Sequence, residues 1–278
     1  MNILYKAIGM TKQAVHQYAS RQVVFDKQVS DLIQQVDKLR KEHPGCGVEK
    51  MYDILNPSFI GRDRFIEIFM QLGYRIKRKR NYMRTTYASN RFYPNLIKGL
   101  NITSPCIVWQ SDITYIRVGE RFYYATFIID VYTRKIVGYN VSDHMRTSGN
   151  ILALRMALRN NKAPEIHHSD RGSQYTSKEY TSLLIRNGSS ISMGLIAQEN
   201  AYAERINRTI KEEYLSYWTP SNITDLKRMV KRAVINYNSK RTHKGLRKQS
   251  PNNFENEWNQ LKENKREVLT IFNDEIIN

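Results

Sequence analysis

Cysteine, proline and glycine are scarce in this sequence of 278 residues, and long apolar runs are missing. Two cysteines, Cys46 and Cys106, cannot build a disulfide framework or a four-cysteine zinc site, which indicates a reducing compartment. The 13 glycines and 7 prolines are too few for a collagen-like or low-complexity chain. No run approaches the roughly 18 apolar residues of a membrane span, and Lys6 interrupts the apolar start. We therefore expect a soluble cytoplasmic protein without a secretory signal.

Acidic residues are outnumbered by basic ones. Lys and Arg total 44 against 26 Asp and Glu, which gives a formal net charge of +18. Such a charge favours a polyanionic partner, either nucleic acid or an acidic membrane surface, unless the basic side chains are simply solvated. They are interleaved with Tyr, Asn and Gln rather than gathered along one amphipathic helix, so we expect nucleic acid and no membrane partner.

The first hundred residues are patterned as helices and turns. Apolar spacing and breakers predict helices over 4–8, 11–19, 25–41, 48–55 and 62–72. The last two, joined by a turn at Asn56-Pro57, have the layout of a helix-turn-helix, although most helical hairpins are structural. A basic run follows, so we expect an all-helical, helix-turn-helix-like DNA-binding region over residues 1–98. Its candidate DNA contacts are Arg62, Arg64, Arg75, Lys77, Arg78, Lys79 and Arg80.

Strand patterns begin near residue 100. The predicted strands cover 107–118, 122–131, 135–141, 165–168 and 190–193, and the predicted helices cover 148–160, 177–187 and a longer segment from Ala201. Asn200 is the candidate N-cap of this last helix. Three consecutive strands joined by short turns indicate an antiparallel meander. The whole order predicts an α/β fold, in which helices flank both faces of a mixed sheet.

Three carboxylates lie where such a sheet would gather them. Asp112 lies in a strand that is predicted to be central, Asp170 follows the short strand that ends at His168, and Glu204 lies in the first turn of the long helix. A carboxylate in a central strand is costly to bury unless a cation pairs with it. Oxygen ligands without His or Cys favour Mg²⁺ or Mn²⁺, and two such ions can clamp both reacting oxygens of a phosphodiester. Among 26 acidic residues, a solvated set is the alternative.

Three sequence blocks surround these carboxylates: WQSDITY at 109–115, HSDRGSQY at 168–175 and ENAYAER at 199–205. They resemble the catalytic blocks of bacterial insertion-sequence transposases of the DDE type, in the IS-three group, whose core is similar to that of retroviral integrases. The stretch from Tyr237 to Pro251 resembles the C-terminal signature of the same family. The resemblance runs from about residue 40 to residue 255 and covers most of the chain.

The resemblance implies an RNase-H-like catalytic core over residues 99–215 and a C-terminal helical extension over residues 216–278. It implies that Asp112, Asp170 and Glu204 bind Mg²⁺ or Mn²⁺, as two ions, while DNA is cleaved at the ends of an insertion sequence and joined to a target. The expected partners are double-stranded DNA, further copies of the chain in a dimer or larger assembly, and an upstream-frame protein if the chain is part of a frameshifted fusion. The expected location is the nucleoid of a prokaryotic cytoplasm.

One departure from the family pattern lies between the second and third carboxylates. Asp170 and Glu204 are separated by 33 residues, slightly fewer than the family usually has. The missing length falls in the loop from Met193 to Glu199, where the family commonly has a Gly-rich stretch. A shorter loop need not move Glu204, but it changes the surface that is available to target DNA.

Neighbouring side chains follow strand alternation. His168 shares its parity with Asp170 and should face the same side, whereas His167 should face away. His168 and Asn200 are therefore candidates for contacts that support the metal ligands, with an ordinary packed histidine as the alternative. Trp109 has the opposite parity to Asp112, which predicts a place in the core.

Two cations are predicted to share a helix face with Glu204. Arg208 and Lys211 follow it by four and seven residues, which is close to one and two helical turns. Phosphate clamps beside the cut DNA are one interpretation, and an ion pair between Glu204 and Arg208 on a solvated surface is the other. We favour the clamps, because a metal-bound Glu204 would be unavailable to Arg208.

Two other functions share part of this pattern. A non-catalytic DNA-binding regulator would keep the basic N-terminal region and tolerate loss of the acids, yet all three acids are present. A plain metal-dependent nuclease would need the same acids but no region that recognises element ends. The sequence therefore favours a transposase.

Overall fold

The computed structural model describes Gly9, residues 11–76 and residues 93–271. Two compact units divide between Ile76 and Lys77. The helix predicted over 4–8 and the basic residues Lys77, Arg78, Lys79 and Arg80 lie outside the described residues. Within those residues, no helix is both long enough and apolar enough to cross a membrane.

The first unit contains α1 (Lys12–Glu42), α2 (Val48–Leu55) and α3 (Arg62–Gln71). The prediction of separate helices over 11–19 and 25–41 is wrong, because α1 is one helix of 31 residues. The residues between the two predicted helices include neither glycine nor proline. Gln22 Nε2 also donates to Asp26 Oδ1 across the junction at 2.7 Å. Nothing in this stretch therefore ends the helix.

The two helices predicted at 48–55 and 62–72 are present as α2 and α3. α2 ends at Asn56, whose left-handed backbone (φ 43°) suits asparagine. Both helices pack on the C-terminal part of α1 around a shared core of buried apolar side chains. The fully buried side chains of this core are Val36, Met51, Phe65 and Phe69.

The second unit is built on a mixed sheet. Its larger sheet contains β2 (Val108–Val118), β3 (Arg121–Asp130), β4 (Ile136–Ser142), β5 (Ile166–Ser169) and β6 (Ser190–Met193), and a small sheet pairs β1 (Asn101–Ile102) with β7 (Leu269–Thr270). Its longer helices are α4 (Thr147–Asn160), α5 (Lys178–Arg186), α6 (Ala201–Ile210), α8 (Ile223–Ser239) and α9 (Pro251–Gln260), and a short α7 spans Ser216–Trp218. The five predicted strands of the larger sheet, α4 and α5 all lie within one residue of their predicted bounds.

The strand order β4-β3-β2-β5-β6 makes β2 the central strand, which confirms the prediction for Asp112. β3 and β4 continue from β2 in an antiparallel meander, whereas β5 pairs with β2 in parallel. Ser111 of β2 is paired with Ser169 of β5. Asp112 follows Ser111 and Asp170 follows Ser169, so the register places the two aspartates beside each other.

Helices cover the two faces of the sheet with separate cores. One face carries Trp109, fully buried as predicted, which packs in a cluster with residues of α4 and α5. A close approach occurs there at Gly138, where a Cβ would lie 2.3 Å from the carbonyl oxygen of Ala153 on α4, so only glycine fits. The opposite face carries Phe127 in a cluster with residues of α6 and α8.

The C-terminal segment packs as part of the same unit. α8 contributes to the cluster that holds α6 on the sheet, and β7 pairs with β1. Asn238, from the C-terminal signature, accepts from Ile136 N and donates to Ile136 O on β4, both at 2.9 Å. No break in packing falls at residue 215, and residue 98 does not divide the compact units either. The domain boundaries at these two residues stay predictions.

Candidate active site

Asp112 is a half-buried carboxylate in the central strand. Its Oδ2 accepts a hydrogen bond from Asn207 Nδ2 at 2.7 Å, and its Oδ1 accepts from Ile113 N at 2.9 Å. Burial, followed by the charges of Asp170 and Glu204, raises its pKa to about 8 against these two hydrogen bonds. The three predicted carboxylates are therefore close enough for Asp112 to respond to both of the others.

Asp170 begins the turn after β5. Its Oδ1 accepts from Gly172 N at 3.0 Å, and burial raises its pKa above the usual range. A Cβ at Gly172 would lie 3.0 Å from Asp170 Oδ1 and 3.1 Å from Gln174 Oε1. A larger residue at position 172 would therefore press on the Asp170 carboxylate and displace it by a few tenths of an ångström.

Glu204 lies on α6, in the first turn as predicted. Desolvation raises its pKa, Arg208 lowers it, and Asp170 raises it again. The side chain is exposed, so it can approach a bound cation or substrate. The partial positive charge at the start of the helix also favours an ionised carboxylate there.

The start of α6 is bound by the sheet, through a residue that sequence analysis missed. Gln110 Oε1 accepts from Tyr202 N at 3.1 Å and from Ala203 N at 3.4 Å, and its Nε2 donates to Glu199 O at 3.2 Å. Asn200 stands at the predicted N-cap position but makes no capping hydrogen bond with its side chain. Instead, Asn200 Nδ2 donates to Ser111 O at 3.0 Å. The strand parity that Gln110 shares with Asp112 could have revealed it.

The paired histidines point to opposite faces, as alternation predicts. His168 Nδ1 lies 2.8 Å from Ser192 Oγ, on the face that carries Gln110, and burial lowers its pKa to about 4. His167 Nε2 lies 3.0 Å from the hydroxyl of Tyr180 on α5. A Cβ at Gly194 would lie 3.2 Å from His168 Nε2, so this histidine supports the loop between β6 and α6.

Three polar residues of α6 and the following turn lie beside the carboxylates. Asn207, a second residue that the sequence analysis missed, is buried and donates to Asp112. It follows Glu204 by three residues and so lies on the same side of the helix, a spacing that could have revealed it. Lys211 begins a π-helical turn, with its Nζ 5.2 Å from the ring centroid of Tyr115. Burial lowers the pKa of Lys211, and Asp112 opposes that shift. Arg208 is exposed.

The predicted DNA contacts of the first unit lie on its surface. Arg62 Nη2 pairs with Glu49 Oε1 at 2.8 Å, and Arg64 Nη1 pairs with Glu67 Oε2 at 2.7 Å. These acidic neighbours were not anticipated from sequence. Arg75 is exposed near the end of the described part of this unit.

The donor set suits a hard divalent cation. Among residues 11–76 and 93–271, no three His, Cys, Asp or Glu side chains stand close enough together to hold an ion as positioned. The three carboxylates nevertheless offer only oxygen ligands, and burial, together with the charges of Asp170 and Glu204, raises the pKa of Asp112 to about 8. A divalent cation would compensate both the burial of Asp112 and the repulsion from the other two carboxylates, so the residues present fit Mg²⁺ or Mn²⁺.

Comparison with known proteins defines the class of this fold. Residues 103–197 and 190–251 match two family models, each described as an integrase core domain. The chain is also similar to one from the simian T-cell lymphotropic virus intasome in complex with PP2A regulatory subunit B56 gamma. The TM-score is 0.50 at 15% identity, over 78% of this chain and 73% of that chain. The second unit thus has the RNase-H-like fold of integrase cores, a fold of polynucleotidyl transferases.

Two relatives identify the family. The transposase for insertion sequence element IS904 of Lactococcus lactis is 32% identical over 87% of this chain and 98% of its own length. The insertion element IS600 uncharacterized 31 kDa protein of Shigella sonnei is 34% identical over 74% of this chain and 79% of its own length. The chain belongs to the bacterial insertion-sequence transposases of the IS-three type. It is an enzyme of the DDE polynucleotidyl transferase class, and its function is DNA transposition.

Proposed function

We propose that Asp112, Asp170 and Glu204 are the catalytic carboxylates of this transposase and that they bind Mg²⁺ or Mn²⁺, as two ions. The observation that carries the proposal is the register between β2 and β5, which sets Asp112 and Asp170 side by side. The helix with Glu204 is anchored to the same strand through Gln110.

Each residue has a definite task in this proposal. Bound divalent ions supply charge stabilisation for the attacking and leaving oxygens of the DNA phosphodiester. Asn207 Nδ2 donates to Asp112 and Gly172 N donates to Asp170, so each of these carboxylates is held in one orientation. Arg208 and Lys211 bind phosphates next to the cut and position the DNA without reading its bases.

The remaining DNA contacts belong to the N-terminal region. We assign recognition of element ends to residues 1–98, with α3 as the helix that approaches the bases and basic side chains that hold phosphates. The proposed contacts are Arg62, Arg64, Arg75, Lys77, Arg78, Lys79 and Arg80. The ion pairs of Arg62 and Arg64 are surface pairs, which phosphates can replace at small cost. Joining two element ends requires two active sites, so the working enzyme is an assembly of at least two copies on DNA, with or without an upstream-frame protein.

The decisive experiment measures chemistry and DNA binding separately. The chain is incubated with DNA from the flanks of its own gene and Mg²⁺, and 3′-end cleavage and joining are read from the products. Asp112→Asn, Asp170→Asn and Glu204→Gln should each abolish both reactions and leave DNA binding nearly unchanged, because ligand charge is lost at constant shape. Asp143→Asn, at an exposed acid of the same unit, is the matched control and should keep full activity.

The outcomes separate the candidate functions. Full activity in any one of the three carboxylate variants would remove that residue from the proposed set. Cleavage of any DNA without joining would favour the plain nuclease, and specific binding without cleavage would favour the regulator. Joined products that depend on all three acids support the proposal.

A further inference from the structure

Gln110 is a completely buried amide next to the proposed metal site. It lies two residues before Asp112 on the central strand and therefore shares its face of the sheet. A buried amide must find partners for its oxygen and its nitrogen, because an unpaired polar group is costly in a protein interior. All partners that Gln110 finds in the structure lie at the beginning of α6 or just before it.

The hydrogen bonds of Gln110 replace the usual cap of that helix. The first N–H groups of a helix have no partner within the helix, and the side chain of the N-cap residue normally accepts from them. In α6 this acceptor comes from the sheet, since Gln110 Oε1 accepts from Tyr202 N at 3.1 Å and from Ala203 N at 3.4 Å. The amide nitrogen of Gln110 also donates to Glu199 O at 3.2 Å, so the preceding turn is tied as well.

Two neighbouring contacts brace the same helical turn. Asn200, the N-cap residue, donates from Nδ2 to Ser111 O at 3.0 Å, which ties the helix start to β2 a second time. On the other side, the guanidinium of Arg134 lies 4.0 Å from the centroid of the Tyr202 ring. Glu204 is only two residues beyond Tyr202. The distance between Asp112 and Glu204 therefore depends on the hydrogen bonds that join β2 to the first turn of α6.

We infer that Gln110 is a positioning residue that fixes the distance between Asp112 and Glu204 through its hydrogen bonds to the start of α6. This inference rests on the proposed ligand role of Glu204. Two of the three backbone atoms that Gln110 binds belong to α6 and the third to the turn before it, so the helix start cannot slide along the strand while the amide is in place. Without the amide, α6 stays on the sheet through its apolar contacts, but the carboxylate of Glu204 is no longer held at one distance.

The test replaces the amide in two ways. Gln110→Met keeps the length of the side chain without its hydrogen bonds, and Gln110→Asn keeps the amide but is too short to reach α6. Asn150→Ala is the matched control, because Asn150 is also a buried amide that joins a helix to the sheet. It lies on α4, and its Oδ1 accepts from Thr126 Oγ1 on β3 at 2.7 Å. Glu204→Gln is measured in parallel as the test of the ligand role itself.

Five quantities are measured on each full-length variant: Mn²⁺ affinity, kcat, KM for DNA, DNA affinity without metal, and thermal stability. Mn²⁺ binding is followed by electron paramagnetic resonance without DNA, cleavage of an element end gives kcat and KM, and DNA affinity is measured in EDTA. For Gln110→Met and Gln110→Asn we expect Mn²⁺ affinity and kcat to fall about tenfold or more, since supporting contacts of metal ligands have effects of this size. The KM for DNA and the affinity in EDTA should stay unchanged. Asn150→Ala should lower only thermal stability.

Each outcome bears on the inference. Mn²⁺ affinity and kcat within about twofold of the natural chain in both Gln110 variants, a change too small for a lost supporting contact, would overturn it. Equal losses in Asn150→Ala would overturn it too, because the effect would then follow stability. If Gln110→Met fails to fold, Gln110→Asn decides alone. Normal Mn²⁺ binding and cleavage in Glu204→Gln would instead reject the proposed ligand role, whereas an inactive Glu204→Gln beside normal Gln110 variants rejects only the positioning.

Discussion

Asp112 should make the metal-free protein sensitive to pH at the scale of a single residue. Its pKa is about 8 in the folded chain, because of burial and the charges of Asp170 and Glu204, and lies near its ordinary value of about 4 in the unfolded chain. The folded state therefore holds this proton more tightly. The stability that it contributes is fully present below about pH 4 and is lost as the pH rises through about 8.

The variant Asp112→Asn removes this dependence because its amide carries no charge. In EDTA at pH 9, we expect the free energy of unfolding of the variant to exceed that of the natural chain by roughly 1 to 3 kcal/mol. At pH 4 the two values should nearly coincide. Urea denaturation from pH 4 to pH 9 measures the difference. Parallel curves across this range would show that Asp112 is ionised in the folded protein without metal.

At the scale of one element, α6 and the π-helical turn after it present two cations to the DNA. Lys211 lies near Tyr115 and Asp112, and Arg208 near Glu204. The double variant Arg208→Ala plus Lys211→Ala should reduce end cleavage by about an order of magnitude or more at physiological salt, because two phosphates lose their partners. Thermal stability should hardly change. The control Arg155→Ala plus Arg159→Ala removes the same charge from the exposed side of α4, and equal losses in both would indicate a general charge effect.

A residue of the C-terminal signature, Arg241, contacts the π-helical turn that follows α6. Arg241 Nε and Nη2 donate to both oxygens of Glu213 at 2.7 and 2.8 Å, and Glu213 lies in the π-helical turn. Arg241→Met leaves a partly buried carboxylate without this partner, which should cost about 3 kcal/mol in urea denaturation. Adding Glu213→Leu should recover most of that loss. A double variant as unstable as Arg241→Met would show that the pair itself, and not the uncompensated charge, stabilises the turn.

At the scale of the whole molecule, truncated chains test the predicted boundary at residue 98 between DNA recognition and catalysis. Ile97 is fully buried in the second unit, and Leu96 N donates to Ser192 Oγ at 2.8 Å. A chain that begins at residue 93 should fold and lose specific binding to element ends. A chain that begins at residue 99 should be less stable by at least about 2 kcal/mol, because a core side chain is missing. Thermal unfolding and gel-shift assays with end and random duplexes measure both effects, and retained end specificity in either truncation would refute N-terminal recognition.

Much of the fold and part of the candidate site follow from local sequence patterns. Ser190–Met193 was predicted with its final bounds, and Asp112 was correctly placed in the central strand. Alternation also separated the faces of His167 and His168. Such features depend on the spacing of apolar residues and on helix- or strand-breaking residues. Both can be read from neighbouring positions in the sequence, without knowledge of the tertiary structure.

Tertiary structure alone decided which distant atoms meet. Asn207 on Asp112, Gln110 on the start of α6 and Arg241 on Glu213 each join residues from separate elements. No local period encodes these pairs, since hydrogen bonds between amides, guanidinium groups and carboxylates depend on how helices settle on the sheet. The same reason explains why the side chain of the N-cap residue Asn200 donates to Ser111 O and does not cap its own helix. Gln110 on the sheet already accepts from the first N–H groups of α6, so the Asn200 amide binds the strand.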